Sequence, residues 1–430
     1  METKIDFGIG KLSQLILVFL VFLSWGNTAK AHEMAISRDD SLNFVQYRGS
    51  VVEMETRKPL GFATLTLEGA NLSTVANSDG EFLFKVPVVN KEGNVIVSYL
   101  GHKDKIIRLS ELKPDKNRIE LELLSVTLST VSVHPRDPDL LMKTILSRRA
   151  DNYSQDQNKM TVFYRETIKK NKTYVSLSEA VLDVYKQPCL SSRSDQIEIS
   201  KARKNTDYTK LDTVTFKLQG GPYTSLMLDI MKNPEEIFTE DMMGNYQFTI
   251  ENISKIGERL MYVIDFQQHE FVEEPLYYGK LYVDTESLAI LSATFSLNVT
   301  DKAKASDLFI RKKPAGARVY PTEATYQINY REKGGKWIFG YSRAEIVFKI
   351  EWKKRLFNTH YASTIEMAVT DWEKVKNAKP VDRLKPSVVM MDEVSGFADP
   401  DFWGVYNVIE PEKSIDQAIK KIQKKLKRTL

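Results

Sequence analysis

The chain has 430 residues, 42% of them hydrophobic and 10% aromatic, which is apolar material for two or three ordinary globular cores. Its 61 lysines and arginines nearly balance 57 aspartates and glutamates, so no long-range field draws it toward nucleic acid or anionic membranes. One cysteine, Cys189, excludes an internal disulfide framework, and its position after Pro188 reads as a small buried hydrophobe.

Lys4 and Lys11 precede an apolar run from Leu15 to Leu23, and Ala29-Lys30-Ala31 closes the segment. That charged, apolar, small-x-small order is a secretory signal, so residues 1–31 are expected to be removed and the mature chain to begin at His32. The run is about half the roughly 20 apolar residues a spanning helix needs, which disfavours an uncleaved anchor. An N-terminal lipid would require a cysteine at the cleavage point, so the protein is expected to be exported without being a lipoprotein.

From Phe44 the residues alternate with the period of a half-buried strand. Ala63, Leu65 and Leu67 are separated by threonines, Phe82, Phe84 and Val86 make a second set, and Ile119, Leu121 and Leu123 a third. Ser78-Asp79-Gly80 and Lys91-Glu92-Gly93 supply turns. Short strands at this spacing without a helical segment predict a β-sandwich over residues 44–133. Here Gly49-Ser50-Val51-Val52, Lys58-Pro59-Leu60, Asn77-Ser78-Asp79-Gly80-Glu81-Phe82, Val97-Ser98-Tyr99-Leu100-Gly101 and Leu128-Ser129-Thr130-Val131-Ser132-Val133 resemble the carboxypeptidase-like regulatory domain. That family is a transthyretin-like sandwich that also precedes many TonB-dependent outer-membrane receptors, and the resemblance implies a docking or spacing module without chemistry of its own. Asn77 and His102 depart mildly from the family pattern.

His134-Pro135-Arg136-Asp137-Pro138 has the composition of a linker. Asp137 is a plausible N-cap with Pro138 at the first helical position, ahead of an apolar stripe containing Leu141, Met142 and Ile145. Residues 139–430 then return to strands, over 161–168, 174–185, 246–254, 260–266, 280–284, 289–298, 324–331, 337–352 and 361–369. Their close spacing predicts an up-and-down antiparallel sheet, with a short helix at Leu226 to Met231 and a loop at Met242-Met243-Gly244. Phe163-Tyr164-Arg165-Glu166, Ser178-Glu179-Ala180 and Asp401-Phe402-Trp403-Gly404-Val405-Tyr406-Asn407 resemble a family of unknown function in which such a sandwich precedes a larger domain. Gly279-Lys280-Leu281-Tyr282-Val283-Asp284, followed by Ile290 to Leu297, is similar to strands of the periplasmic lipoprotein carriers, curved half-barrels that shelter acyl chains. The expected fold is therefore mainly β: a seven-stranded transthyretin- or immunoglobulin-like sandwich, then a larger antiparallel sheet of half-barrel form with a few helices.

Catalytic signals are sparse. The five histidines, at 32, 102, 134, 269 and 360, include no H-E-x-x-H pair, and no G-x-S-x-G elbow occurs. Glu235-Glu236 and Glu273-Glu274 are adjacent carboxylates that diverge, whereas glycosidases bring theirs from separate strands. Glu166 and Glu179 are expected to pair with Arg165 or another base.

The sequence thus predicts a non-catalytic binding or assembly module of the periplasm or outer membrane, with no cofactor and no metal. Its sandwich would dock to an envelope partner and its larger sheet would hold a lipid, peptide or envelope protein. An envelope enzyme acting on glycan or peptide, or a purely structural protein, are the alternatives. The carrier likeness makes Leu281, Val283, Ala293, Phe295 and Leu297 a candidate apolar ligand face. Ser414 and Gln417 form a capping-box pattern before an amphipathic C-terminal helix, and Lys420, Lys421, Lys424 and Lys425 on its other face are a candidate basic contact for acidic lipid or protein. The same spacing suits a helix docked on the sheet by its apolar stripe.

Overall fold

In the computed structural model the described residues are 44–124, 137–206, 215–216, 221–238, 240–256, 259–312, 316–353, 357–385, 397, 399 and 401–429. The expected closing segment of the sandwich, residues 128–133, and linker residues 134–136 lie outside them.

Among the described residues seven strands build the sandwich: β1 (Phe44–Glu53), β2 (Thr64–Leu67), β3 (Ser73–Val75), β4 (Glu81–Pro87), β5 (Asn94–Ser98), β6 (Lys105–Arg108) and β7 (Asn117–Leu121). One sheet has the order β4-β1-β7, with β7 parallel to β1, and the other the antiparallel order β3-β2-β5-β6. Between them lie Val51, Leu65, Leu67, Phe82, Phe84, Val97, Ile119 and Leu121, all buried. Leu123, expected in this core, is 47% exposed because β7 ends at Leu121. The Asp79-Gly80 turn forms as predicted: Gly80 has φ +74, and an added Cβ would sit 2.6 Å from the Val51 carbonyl oxygen. Asn77 Oδ1 accepts from the N–H groups of Asp79 and Glu81 at 3.0 and 2.9 Å, so the amide performs the turn-closing role an aspartate would.

The larger sheet contains β8 (Gln157–Lys170), β9 (Thr173–Lys186), β10 (Gln196–Thr206), β12 (Tyr246–Ile256), β13 (Arg259–Gln268), β14 (Tyr277–Asp284), β15 (Ile290–Leu297), β17 (Ala317–Lys333), β18 (Lys336–Trp352) and β19 (Thr359–Val375). Strands β11 (Thr215–Phe216) and β16 (Ile310–Lys312) pair separately. The ten strands are antiparallel in the open order β10-β9-β8-β19-β18-β17-β15-β14-β13-β12. The up-and-down expectation therefore holds within two runs, and β19 joins them by returning to β8.

Among the described residues six α-helices accompany the sheet: α1 (Pro138–Ser147), α2 (Arg149–Asn152), α3 (Pro222–Met227), α4 (Glu240–Met243), α5 (Lys302–Phe309) and α6 (Lys413–Thr429). Asp137 caps α1 by accepting from the Leu140 N–H at 3.0 Å, with Pro138 first in the helix. The predicted helix at 226–231 lies earlier, as α3, and the loop at 242–244 overlaps α4. Strand β10 was not expected. A register shift between Ile199 and Lys201 breaks its alternation, and lysines and arginines fill its second half.

The two faces of the sheet have different fates. Leu141, Met142 and Ile145 of α1, with Leu226, Ile230, Met231, Ile237 and Phe238, fill the inner face in one cluster with Met160, Val162, Phe266, Leu281 and Ile328. The outer face carries a second cluster in which Phe163, Val181, Tyr341 and Ala368 of the sheet meet Val75 and Leu83 of the sandwich. Phe402, Trp403, Val408 and Ile409 complete that cluster. Strand β4 is consequently buried on both sides, and Asn407 satisfies its edge: Oδ1 accepts from the Lys85 N–H at 2.7 Å and Nδ2 donates to the Lys85 carbonyl at 3.0 Å. The side chain of Asn407 thus replaces one step of a missing strand.

Gly279 is required where β14 passes β15. A Cβ there would lie 2.2 Å from the Thr294 carbonyl oxygen and 2.5 Å from the Phe295 Cα. Gly279→Ala is expected to lower stability by about 3 kcal/mol, since neither backbone can retreat within the sheet, as measured by urea unfolding. An unchanged midpoint would show that the two strands separate more readily than this packing implies.

Candidate functional site

Cross-strand register lays one polar row across nine of the sheet's ten strands. Arg203, Glu179, Arg165, Glu366 and Arg343 are successive partners on β10, β9, β8, β19 and β18. Gln327, Thr294, Lys280 and Asp265 continue the row on β17, β15, β14 and β13. Because side chains alternate faces, this register puts all nine on one side of the sheet.

The first half is covered by the sandwich and by residues 402–409. Glu179 accepts from Arg165 Nε and Arg203 Nε, both at 2.8 Å, and Glu366 accepts from Arg343 Nη1 at 2.6 Å and from the Tyr341 hydroxyl at 3.2 Å. Arg165 Nη2 donates to the Ile409 carbonyl at 2.9 Å, and the Arg203 guanidinium lies over the rings of Phe397, Phe402 and Trp403. Burial opposes the charge of Glu179, yet Arg165 and Arg203 outweigh it and hold the carboxyl below its usual range. The expected pairing of Glu179 with Arg165 is present. Glu166 points to the other face, where the Tyr164 hydroxyl donates to it at 2.9 Å. Three sequence segments noted for their resemblance, at 163–166, 178–180 and 401–407, thus meet as one lock between sandwich, sheet and C-terminal chain.

The second half of the row is open. It floors a groove of about 500 Å³ together with a parallel row, Tyr278, Ser296 and Thr325, from β14, β15 and β17. The wall is Phe62, in the sandwich loop between β1 and β2. Its ring stacks on Tyr341 with centroids 5.5 Å apart, and the Arg343 guanidinium lies 5.5 Å from its centroid. Phe62 has φ +69, a left-handed backbone that bulky residues rarely adopt. The strain is tolerated here at the edge of a concavity.

Charges in the groove are largely matched: Lys280 meets Glu251 at 2.5 Å, and Arg343 meets Glu345 at 2.9 Å as well as Glu366. Asp265 differs. Burial, with Glu251 nearby, raises its carboxyl above the usual value despite Lys280. The side chains of Asp265, Tyr278, Thr294, Ser296, Thr325 and Gln327 face the groove without a hydrogen bond to any described residue. Of these groove residues Lys280, Thr294 and Ser296 stand in the segment similar to the lipoprotein carriers, but none of the groove's polar residues was a candidate site residue, because register alone brings them together.

The expected apolar face has a different setting. Leu281, Val283, Ala293 and Phe295 are buried in the inner-face cluster with α1 and the 226–243 segment, and Leu297 is buried in a separate cluster with Val319, Phe348 and Tyr361. Cys189 is buried, as read from sequence, and burial pushes its thiol up to about 12. Among the described residues no three His, Cys, Asp or Glu side chains are placed to hold a metal ion, and no helix is long and apolar enough to cross a membrane.

Helix α6 docks through Ile415 and Ile419, which are buried with Leu177 and Phe397. It begins at Lys413, with the Asp416 N–H donating to Glu412 O, so Ser414 lies inside the first turn and not at the predicted cap. Ser414 instead contacts the Tyr174 hydroxyl at 3.0 Å. Lys420, Lys421 and Lys424 are exposed, Lys420 pairing with Asp416 at 2.6 Å, while the Lys425 side chain lies outside the described residues. Deleting residues 413–430 is expected to cost about 3 to 6 kcal/mol, from exposing two buried isoleucines, and to leave liposome association unchanged. Thermal melting and liposome co-sedimentation at low salt measure the two effects. Intact stability with lost co-sedimentation would assign the lysine face to binding instead.

Residues 47–133 match the model of one family, the CarboxypepD_reg-like domain. The sandwich resemblance is thereby confirmed for that segment. No curated protein matches the chain. Among solved structures, a DUF1329 family protein from Desulfovibrio piger is 13% identical, with a TM-score of 0.23, over 56% of this chain and 95% of its own. A LolA superfamily protein from Nitrosomonas europaea is 12% identical, with a TM-score of 0.24, over 55% and 94%. Lipovitellin is 8% identical, with a TM-score of 0.24, over 54% and 27%. Likenesses this slight transfer neither ligand nor role.

Proposed function

We propose that the protein is an exported, non-catalytic binding module of the cell envelope, and that the groove under Phe62 holds an extended polar chain. The single observation carrying this reading is the groove itself: the same polar row that is locked down under the sandwich continues uncovered into a concavity with unpartnered side chains. Binding is favoured over hydrolysis because Asp265 is the one carboxylate among the groove's lining residues, whereas glycosidases need two across the scissile bond. The order of charge, apolar run and Ala29-Lys30-Ala31 supports export. The sandwich contributes the groove wall, and its family resemblance supports a docking role toward an envelope partner.

Gln327 lies mid-floor and half-buried, so Gln327→Trp should fill the groove while leaving the core untouched. The variant is expected to keep its melting temperature and to lose retention on a washed envelope fraction. An exposed Leu190→Trp change serves as control. Equal retention of all three proteins would remove the groove as the binding site.

A further inference from the structure

We infer that the chain held in this groove is a neutral oligosaccharide, laid across the strands; the inference rests on the groove being the binding site. The floor crosses β13, β14, β15, β17 and β18, roughly 19 Å at the usual strand spacing. Every one of these strands is paired on both sides, so no sheet edge is available here and a peptide cannot add as a further strand. Recognition falls entirely to side chains.

Those side chains suit sugars. Thr294, Ser296 and Thr325 offer hydroxyls and Gln327 an amide, groups that both donate and accept, as sugar hydroxyls do. Phe62 and the half-exposed Tyr278 present aromatic faces, whose negative π-surface receives the C–H face of a pyranose ring. Asp265 lacks a hydrogen-bond partner and can accept from two neighbouring hydroxyls of one ring, a charge-assisted pair. Lys280 and Arg343 are neutralised by Glu251, Glu345 and Glu366, so the groove offers no free cation to a phosphate or uronate, and Asp265 repels one.

The test is saturation-transfer NMR and calorimetric titration of the full mature chain with neutral hexaoses of α- and β-linked glucose, mannose and xylose. A Ser/Thr/Gln heptapeptide and phosphatidylglycerol vesicles are run alongside. At least one hexaose is expected to bind, with affinity reduced about tenfold by Asp265→Asn, the scale of one charged hydrogen bond. Phe62→Ala and Tyr278→Ala should each weaken it while melting temperatures stay within those of folded protein. Rescue of a Tyr278 variant by Phe but not by Leu would mark ring stacking. If no hexaose binds although Gln327→Trp abolishes envelope retention, the groove stands and the sugar is overturned. Binding by the peptide or the vesicles in place of the hexaoses overturns it equally. Hexaose binding that survives all three groove variants moves the sugar elsewhere and overturns the inference. If neither hexaoses nor retention depend on the groove, both readings fall.

Discussion

Glu179→Ala is expected to destabilise the protein by about 3 to 5 kcal/mol in urea unfolding, because it removes the carboxylate that two buried guanidiniums share. Arg165 and Arg203 both bond this carboxylate and both are buried, Arg203 against Phe402 and Trp403 and Arg165 against Phe163 and the Ile409 carbonyl. Replacing the triad together, as Arg165→Met with Glu179→Leu and Arg203→Met, should recover much of the loss, since the cost arises from unpaired buried charge more than from missing attraction. A single change as mild as an ordinary surface substitution would mean that water reaches the site. Acid should act in the same direction. The Glu179 carboxyl titrates below its usual range when folded, so the unfolded chain binds the extra proton and stability rises with pH through that window. The contribution is full above the unfolded value near ~4 and is lost as pH falls through the folded one. Glu179→Ala should therefore flatten the acid limb of the stability profile.

The lock also explains why the larger domain and the sandwich behave as neighbours in one architecture. Arg165 reaches the Ile409 carbonyl, Asn407 completes the edge of β4, and Trp403 meets Phe163 edge to face at 5.6 Å. Loosening Glu179 should free residues 402–409 before the sheet unfolds, which limited proteolysis would detect as early cleavage there. Phe62, on the same sandwich, would lose its fixed position over Arg343 and so couple the lock to the groove.

What the sequence disclosed and what it hid follow from the range of the signals. Period-two alternation placed Phe82, Phe84 and Val86 in the core, the Asp79-Gly80 turn needed only local backbone chemistry, and Asp137 with Pro138 marked a helix start within three residues. Strand β10 escaped because a bulge at Ile199 resets its alternation. The apolar set Leu281, Val283, Ala293, Phe295 and Leu297 could be read as buried, but alternation does not say whether a buried face meets a ligand or the chain's own helices. Nine residues spanning positions 165 to 366 form the polar row, and only strand order and register make them neighbours. Each alone is an unremarkable strand threonine, glutamine or charge. Phe62 was hidden for a similar reason, since its role depends on a left-handed turn that brings one domain against another.

Lys186→Met is expected to cost about 3 to 5 kcal/mol, and its deficit, like that of Glu179→Ala, should shrink as pH falls, here because the variant gains stability and not because the wild type loses it. Lys186 Nζ lies 2.8 Å from both Asp195 and Asp229 on the inner face of the sheet. Burial would lower its pKa, but the two carboxylates prevail and raise it. A raised lysine contributes fully below its unfolded value near ~10.4 and loses that contribution only in strong alkali, so the wild type gains nothing from this group by acidification near neutrality. Without the lysine, Asp229 keeps the Tyr330 hydroxyl at 2.8 Å and the Lys232 N–H at 3.3 Å, while Asp195 keeps the Gln187 N–H at 2.7 Å and Lys232 Nζ at 3.9 Å. At least one carboxylate must then rise above its usual range, the folded state binds the extra proton, and the variant regains stability as pH falls from 8 to 5. Melting temperatures across that interval should converge on the wild type from below. A deficit that stays constant would place the damage in packing against Phe339, whose ring centroid lies 5.5 Å from Lys186 Nζ, and not in charge. Cys189 offers a companion readout: its buried thiol should resist alkylation in the native wild type and become reactive only in whatever fraction of the variant opens this region.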